Sequence, residues 1–371
     1  MNPGRTSIWL GPWDAAGRDA DELLDELQSI GIDSCSLATA YHGGRLLLGN
    51  HPRRVVYELP PSSLFFEAQL ERFSTPKPEI APEAEAAKAF IAAAARRGFP
   101  VEAWMVLCHN DRLGALDPAL CTTNAFGDRY TYALCPANPR VIDYAVELCR
   151  QVASVEGVAG IDVEALSFMG YEHASLHDKR GAVLPGAAAE LLSICLCPNC
   201  HAELGPTAAE IARHVRKQVR KALQGDEAAP LPGDLAAAVV AHRERVQLAL
   251  LQSVRAAVGR TRLNLRLAGG RTFTGGKCSL PAAQALAVAD EITCTFFGSS
   301  EAQLEQGLAA LPHHARVGIV FHGPDCSTAG EVTRRLALVR ASRATGVSLY
   351  GYSLAHPHHL EWLRMALEGS A

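Results

Sequence analysis

Three cysteines fall within six residues, Cys195-Leu-Cys197-Pro-Asn-Cys200. Thiolates are soft anionic donors, and a turn at Pro198-Asn199 can fold this run so that all three point at one tetrahedral ion. Zinc takes four such donors and brings no redox chemistry of its own. Spacing alone leaves the fourth donor open, because His201 adjoins a ligand and has awkward geometry for the role. The competing reading is a set of buried or disulfide-linked cysteines. The chain has 11 cysteines in 371 residues, and Met1 to Asp14 lacks the pattern of an export signal. A cytoplasmic, reducing location is therefore expected, where clustered thiols read as metal ligands rather than disulfides.

A second set of reactive side chains lies on the β-type run Val158–Val163 and the Glu164 that follows it. Side chains alternate along a strand, so Gly160, Asp162 and Glu164 share one face and Ile161, Val163 and Ala165 the other. The apolar face suits packed helices, and the polar face suits the lumen of a barrel. Two close carboxylates raise one another's pKa, which would keep one protonated as an acid. The plain structural alternative is a carboxylate tied to an Arg or Lys of the lumen. Glu164 is the expected acid/base, with Asp162 or Asp325 as the second carboxylate. The segments that follow the strand candidates, this one included, supply Trp13, Asp14, Tyr41, His42, His109, Asn110, His173, His177, His322 and Tyr352. Neutral imidazoles, amides and flat rings are the groups that bind a hydroxyl-rich ligand. No His-x-His or His-Glu-x-x-His pair marks a catalytic metal among these histidines.

Eight strand candidates must position those residues: Ser7–Leu10, Ile32–Leu37, Val101–Leu107, Val158–Val163, Arg262–Leu267, Ile292–Phe296, Val317–Phe321 and Val347–Tyr350. Helical patterns alternate with them, at about Asp19–Ile30, Pro82–Arg97, Pro139–Val155, Thr207–Leu223 and Asp234–Val258. Eight strands with intervening helices predict an α/β fold, a single (β/α)8 TIM barrel over 1–371, rather than an open doubly wound sheet. No Gly-x-Gly-x-x-Gly or phosphate-loop motif follows the first strand. A proline- and aromatic-rich stretch, about 41–82, is expected to form a long loop over the barrel mouth.

The segments Leu134-Cys135-Pro-Ala-Asn-Pro139, Val158-Ala-Gly-Ile-Asp-Val-Glu164 and Cys195-Leu-Cys-Pro-Asn-Cys200 together resemble the central stretch of zinc-containing microbial β-galactosidases. Those are retaining (β/α)8 glycosidases. The resemblance implies that Cys135 completes a structural zinc site with Cys195, Cys197 and Cys200 in the fourth βα unit. It covers about 70 residues and departs from the family at the catalytic positions. The family's Asn-Glu pair after strand four falls on Ala165 and Leu166, with Glu164 two residues early. A retaining enzyme also needs a nucleophilic carboxylate roughly 5 Å from the acid. The seventh strand candidate and its continuation, Val317 to Asp325, contain no glutamate, which leaves Asp325. A separation of roughly 6.5–9.5 Å would imply inversion instead.

Composition sets further bounds. Apolar residues make up 48% and charged residues 20%, ordinary for a globular chain, and the net charge of −4 offers no broad positive field for nucleic acid. The basic run Arg213, Arg216, Lys217, Arg220 and Lys221 alternates with apolar residues at helical spacing and reads as a solvated helix face. No apolar run approaches the roughly 20 residues of a membrane span. The expected function is that of a glycoside hydrolase-like enzyme on a small-molecule or oligosaccharide substrate. The alternatives are a catalytically inactive carbohydrate-binding barrel, or a His-dependent lyase or isomerase on a sugar-like substrate. Oligomeric state, homo-oligomers included, is left open.

Overall fold

The computed structural model describes residues 4–74, 76–173, 179, 181, 184, 186–267 and 278–369. Eight parallel strands are β1 (Arg5–Leu10), β2 (Ser34–Tyr41), β3 (Val101–Val106), β4 (Val158–Glu164), β5 (Arg262–Leu267), β6 (Glu291–Thr295), β7 (Ala315–Val320) and β8 (Gly346–Tyr350). Each pairs with the next, and β8 pairs back onto β1, so the sheet closes into the expected (β/α)8 barrel.

The connecting helices follow from local sequence. In the helix Ala20–Ile30, Asp19 caps the start by accepting from the Asp21 and Glu22 amides, and Gly31 at φ 98° closes the end. Leu23, Leu24, Leu27 and Ile30 recur at helical spacing and are the residues it buries against the barrel. No helix among the described residues is long and apolar enough to cross a membrane.

Two departures matter for the site. β2 runs on to Tyr41 and is buried along its whole length; its Ser, Ala and Thr residues hid that extent from a hydrophobic pattern. The segment after it is not wholly irregular. It holds an antiparallel hairpin, Gly44–Leu47 with Val56–Leu59, and a short strand, Ser63–Leu64, added to the end of β2. A second hairpin, Cys121–Thr123 with Arg129–Leu134, follows β3.

The lumen is polar. On successive strands, residues two apart face inward. Toward its N-terminal end Arg316 of β7 donates to Glu102 of β3 at 2.8 and 3.0 Å and to Glu291 of β6 at 2.5 Å. Higher up, the Trp9 indole crosses the lumen beside Gly318. A Cβ at Gly318 would stand 2.8 Å from that ring, so the glycine leaves the room the indole fills.

Candidate functional site

The sulfurs of Cys135, Cys195, Cys197 and Cys200 lie within 4.8 Å of one another, and all four residues are buried. Cys135 stands 3.5 Å from Cys200, 3.8 Å from Cys195 and 3.6 Å from Cys197. Four sulfurs held tetrahedrally at roughly 2.3 Å from one ion would be roughly 3.8 Å apart, so the spacing fits a single bound metal. The donor set is all thiol. The buried Arg243 lies against Phe168, donates to the Ser193 carbonyl and acts electrostatically on Cys195, Cys200 and Cys135. A cation there offsets the excess negative charge that four thiolates place around a divalent ion. These four cysteines can hold a metal ion.

At the C-terminal end of the strands, Arg266 of β5 stands between the two carboxylates of β4. It donates to Asp162 at 2.7 Å and to the Glu164 oxygen Oε2. Its guanidinium lies over the Trp9 ring at 4.1 Å and over the Trp104 ring at 4.5 Å. Asp162 also accepts from the Trp9 indole at 3.0 Å and from Asn264 at 2.9 Å. Trp104 donates to Glu164 Oε2 at 2.7 Å. Among the described residues no hydrogen bond engages Glu164 Oε1. The Glu164 side chain is 28% exposed, whereas Asp162 is 1% exposed. Directly after Glu164 the chain turns through Ala165 at φ 55°, a conformation rare for a residue with a Cβ.

Two corrections follow. Asp162 is not raised by its neighbour on the strand, because the Arg266 cation lies between the two carboxylates. Burial raises the Asp162 pKa, but the Arg266 charge and hydrogen bonds outweigh it and hold the carboxyl below its ordinary range. Nor does Asp162 reach a substrate, since its oxygens are sealed beneath Arg266.

Around Glu164 the mouth is aromatic. Tyr41 and Tyr350 lie within electrostatic range of Glu164 and Arg266. The His42 ring stacks on Tyr41 at 4.2 Å and on His109 at 4.1 Å. His173 meets His109 edge-on, its Nε2 3.3 Å from His109 Nδ1. Burial, then the neighbouring imidazoles, push the His109 pKa down to about 2, and burial lowers His173 as well. Both rings are therefore neutral near pH 7, able to donate and to accept.

The structure brings Glu164, Tyr41, His42, His109 and His173 together, and His177 lies outside the described residues. Other expected ligand-binding residues are buried and engaged instead. Trp13 is walled in by Tyr41, Tyr57 and Phe65 and donates to Ser353 at 2.9 Å. Asp14 accepts from Gly11 and Ser353, and Asn110 caps the helix Asp111–Leu116 and donates to Tyr144. Tyr352 donates to Glu26 from a fully buried position. His322 is also buried; its Nδ1 pairs with the Gly323 carbonyl and its Nε2 accepts from the Gly351 amide. These residues seal the strand ends rather than line the opening. Asp325 is half-exposed and accepts from the Gly298 amide at 2.8 Å.

Arg266, Trp9 and Trp104 were missed from sequence, and Tyr350 was placed only as the end of the eighth strand. Arg262, Asn264 and Arg266 alternate with Leu263, Leu265 and Leu267 as plainly as the residues of β4 do, and that signal could have placed Arg266 in the lumen.

The chain matches no protein-family model and no curated protein sequence. Its fold is shared with solved glycoside hydrolases. It is similar to the PgaB (BpsB) glycoside hydrolase domain from Bordetella bronchiseptica, at 12% identity and a TM-score of 0.61 over 98% of this chain and 99% of that one. It is similar to α-L-fucosidase isoenzyme 2 from Paenibacillus thiaminolyticus, at 11% identity and a TM-score of 0.59 over 99% of this chain and 49% of that one. The β-galactosidase from Bacillus circulans sp. alkalophilus gives 9% identity and a TM-score of 0.59 over 99% of this chain and 56% of that one. The chain thus spans about half the length of the fucosidase and the β-galactosidase.

Proposed function

We propose that this chain is a glycoside hydrolase-like enzyme acting on a carbohydrate or glycoside, with Glu164 as its acid/base carboxylate. One observation carries the reading: Glu164 ends a barrel strand, reaches solvent, and has one oxygen held by Trp104 and Arg266 while the other has no hydrogen bond among the described residues. Fixing Oε2 assigns proton exchange to Oε1. The imidazoles of His42, His109 and His173 serve as hydroxyl partners, and Tyr41 and Tyr350 form the aromatic wall. With Asp162 sealed, Asp325 is the second carboxylate we assign. The likeness to glycosidases supports the scaffold, and barrels of this kind place chemistry at this end.

We assign the four-cysteine cluster to a structural zinc, since a closed set of thiolates leaves no open coordination position. The chain then works in a reducing, cytoplasmic setting as one barrel over 1–371, with the 41–82 segment beside the mouth. Turnover of a panel of aryl glycosides by wild type and Glu164→Gln tests the catalytic reading. The variant should lose about 10²–10⁴-fold, the usual worth of a positioned acid/base. Activity equal to wild type would sink the assignment.

A second reading is an inactive carbohydrate-binding barrel. It is favoured by the end of β7, where the buried Phe321 and the doubly engaged His322 stand in place of a carboxylate. Calorimetric sugar binding without turnover of any glycoside would select it.

A further inference from the structure

The hairpin Cys121–Leu134 joins the cysteine cluster to the histidines of the mouth. At its far end the Thr123 amide lies 3.4 Å from the Cys195 sulfur, and the Leu196 amide donates to the Thr123 carbonyl at 2.7 Å. Tyr130 donates to the Leu192 carbonyl at 2.9 Å, and Cys135 itself directly follows the hairpin. Tyr130 stacks on Tyr132 at 5.9 Å.

Tyr132 then reaches both histidines. Its carbonyl accepts from the Asn110 amide at 2.9 Å, and its neighbour Ala133 bridges His109. Its hydroxyl donates to the Gly170 carbonyl at 2.8 Å, the same carbonyl that accepts from the His173 amide at 3.2 Å. Its ring lies 6.4 Å from His109 and 5.9 Å from His173. The loop carrying His173 is tied to the cysteine segment a second time, where the Tyr171 amide donates to Ser193 at 2.9 Å. The two approach so closely that a Cβ on Gly170 would lie 2.1 Å from the Ser193 side chain.

We propose that Tyr132 is a positioning residue that holds His109 and His173 in their hydrogen-bonded arrangement, and that the four-cysteine cluster fixes Tyr132 through the hairpin. The cluster therefore does more than staple the fold. Its occupancy sets the geometry of the mouth. The first half of this stands on the hairpin alone; the second rests also on the cluster holding a metal. Neither uses turnover, so failure of the glycosidase reading leaves the test intact.

The experiment compares three full-length samples with wild type: Tyr132→Phe, Cys197→Ser, and wild type treated with a zinc chelator under reducing conditions. Long-range ¹H–¹⁵N correlations on histidine-labelled protein read the tautomer of each ring, with His109→Gln and His173→Gln assigning the signals. Diethylpyrocarbonate labelling with peptide mapping reads ring availability, and elemental analysis reads metal. Tyr132→Phe should keep its metal yet lose the paired His109–His173 signature. Its His173 labelling should quicken about fivefold, the shift that loss of one neutral hydrogen bond produces. Cys197→Ser and the chelated protein should show the same histidine change together with metal loss. Should Cys197→Ser fail to fold, the chelated wild type supplies that arm. Histidine signals that stay as in wild type in Tyr132→Phe would overturn the role of Tyr132. Metal loss without any histidine change, or a metal-free isolated protein with the paired signature, would overturn the link to the cluster.

Discussion

Two guanidinium–carboxylate clusters sit one above the other in the barrel lumen. In the lower, Arg316, Glu102 and Glu291 have side chains only 2%, 3% and 7% exposed. In the upper, Arg266 and Asp162 are as deeply buried, at 3% and 1%, but Glu164 is 28% exposed. Both clusters satisfy charges that could not be buried singly. Only the upper one leaves a carboxylate oxygen where a solute can meet it. A device that fills a lumen becomes a chemical site when one member sits near enough to the strand end to touch water.

Removing each arginine in turn should separate the two clusters most strongly. Arg316→Met removes the buried cation from two sealed carboxylates, leaving them the more exposed Arg262, and should cost about 3–5 kcal/mol of unfolding free energy, measured by denaturant titration. Arg266→Met should cost about 3 kcal/mol, at the low end of that range, because Glu164 can rehydrate and Asp162 keeps Trp9 and Asn264. Equal losses would mean that the exposure of Glu164 carries no energetic weight.

Acidity sharpens the contrast between buried carboxylates with and without a cation. Burial raises the Asp14 pKa to about 7, and one of its oxygens is buried with no hydrogen-bond partner. A raised folded-state pKa stabilises below the unfolded value near 3.9, and that stability is lost as pH rises toward 7, by on the order of 4 kcal/mol. Asp162 has the opposite sign. Its depressed pKa stabilises above about 3.9 and that contribution fades as pH falls through the folded value. Denaturant midpoints taken from pH 4 to 8 should decline in wild type and flatten in Asp14→Asn. A slope unchanged in the variant would remove Asp14 as its source. Glu164→Gln should shift stability by less than about 1 kcal/mol while removing activity, since a half-exposed carboxylate owes little to burial.

How much of this was legible in the sequence depends on whether a feature is local. The cysteine run needs only spacing, and the barrel strands announce themselves as short apolar runs between helices. Cys135 lies 60 residues from Cys195, a distance no spacing rule bridges. The hairpin of Thr122, Thr123 and Tyr130 to Tyr132 left no clear pattern, because its outer strand alternates exposed and half-buried residues. Residue type also misleads about depth. Trp13, Asp14, Asn110 and Tyr352 follow barrel strands as binding residues should, yet the packing of loop on loop buries them.

The polar lumen has a calorimetric consequence. A chain of 371 residues would ordinarily unfold with a heat-capacity increment of roughly 4.5–5.5 kcal/mol/K. Exposing apolar surface raises that increment and exposing polar surface lowers it. Here unfolding hydrates Arg266, Arg316, Glu102, Asp162, Asn264, Glu291 and Thr293 from the space other barrels fill with Val, Ile and Leu. The increment measured by scanning calorimetry should therefore fall below that range. The free energy of folding should vary with temperature along a broader, shallower dome, so that the barrel gives up less stability on cooling than its length would suggest.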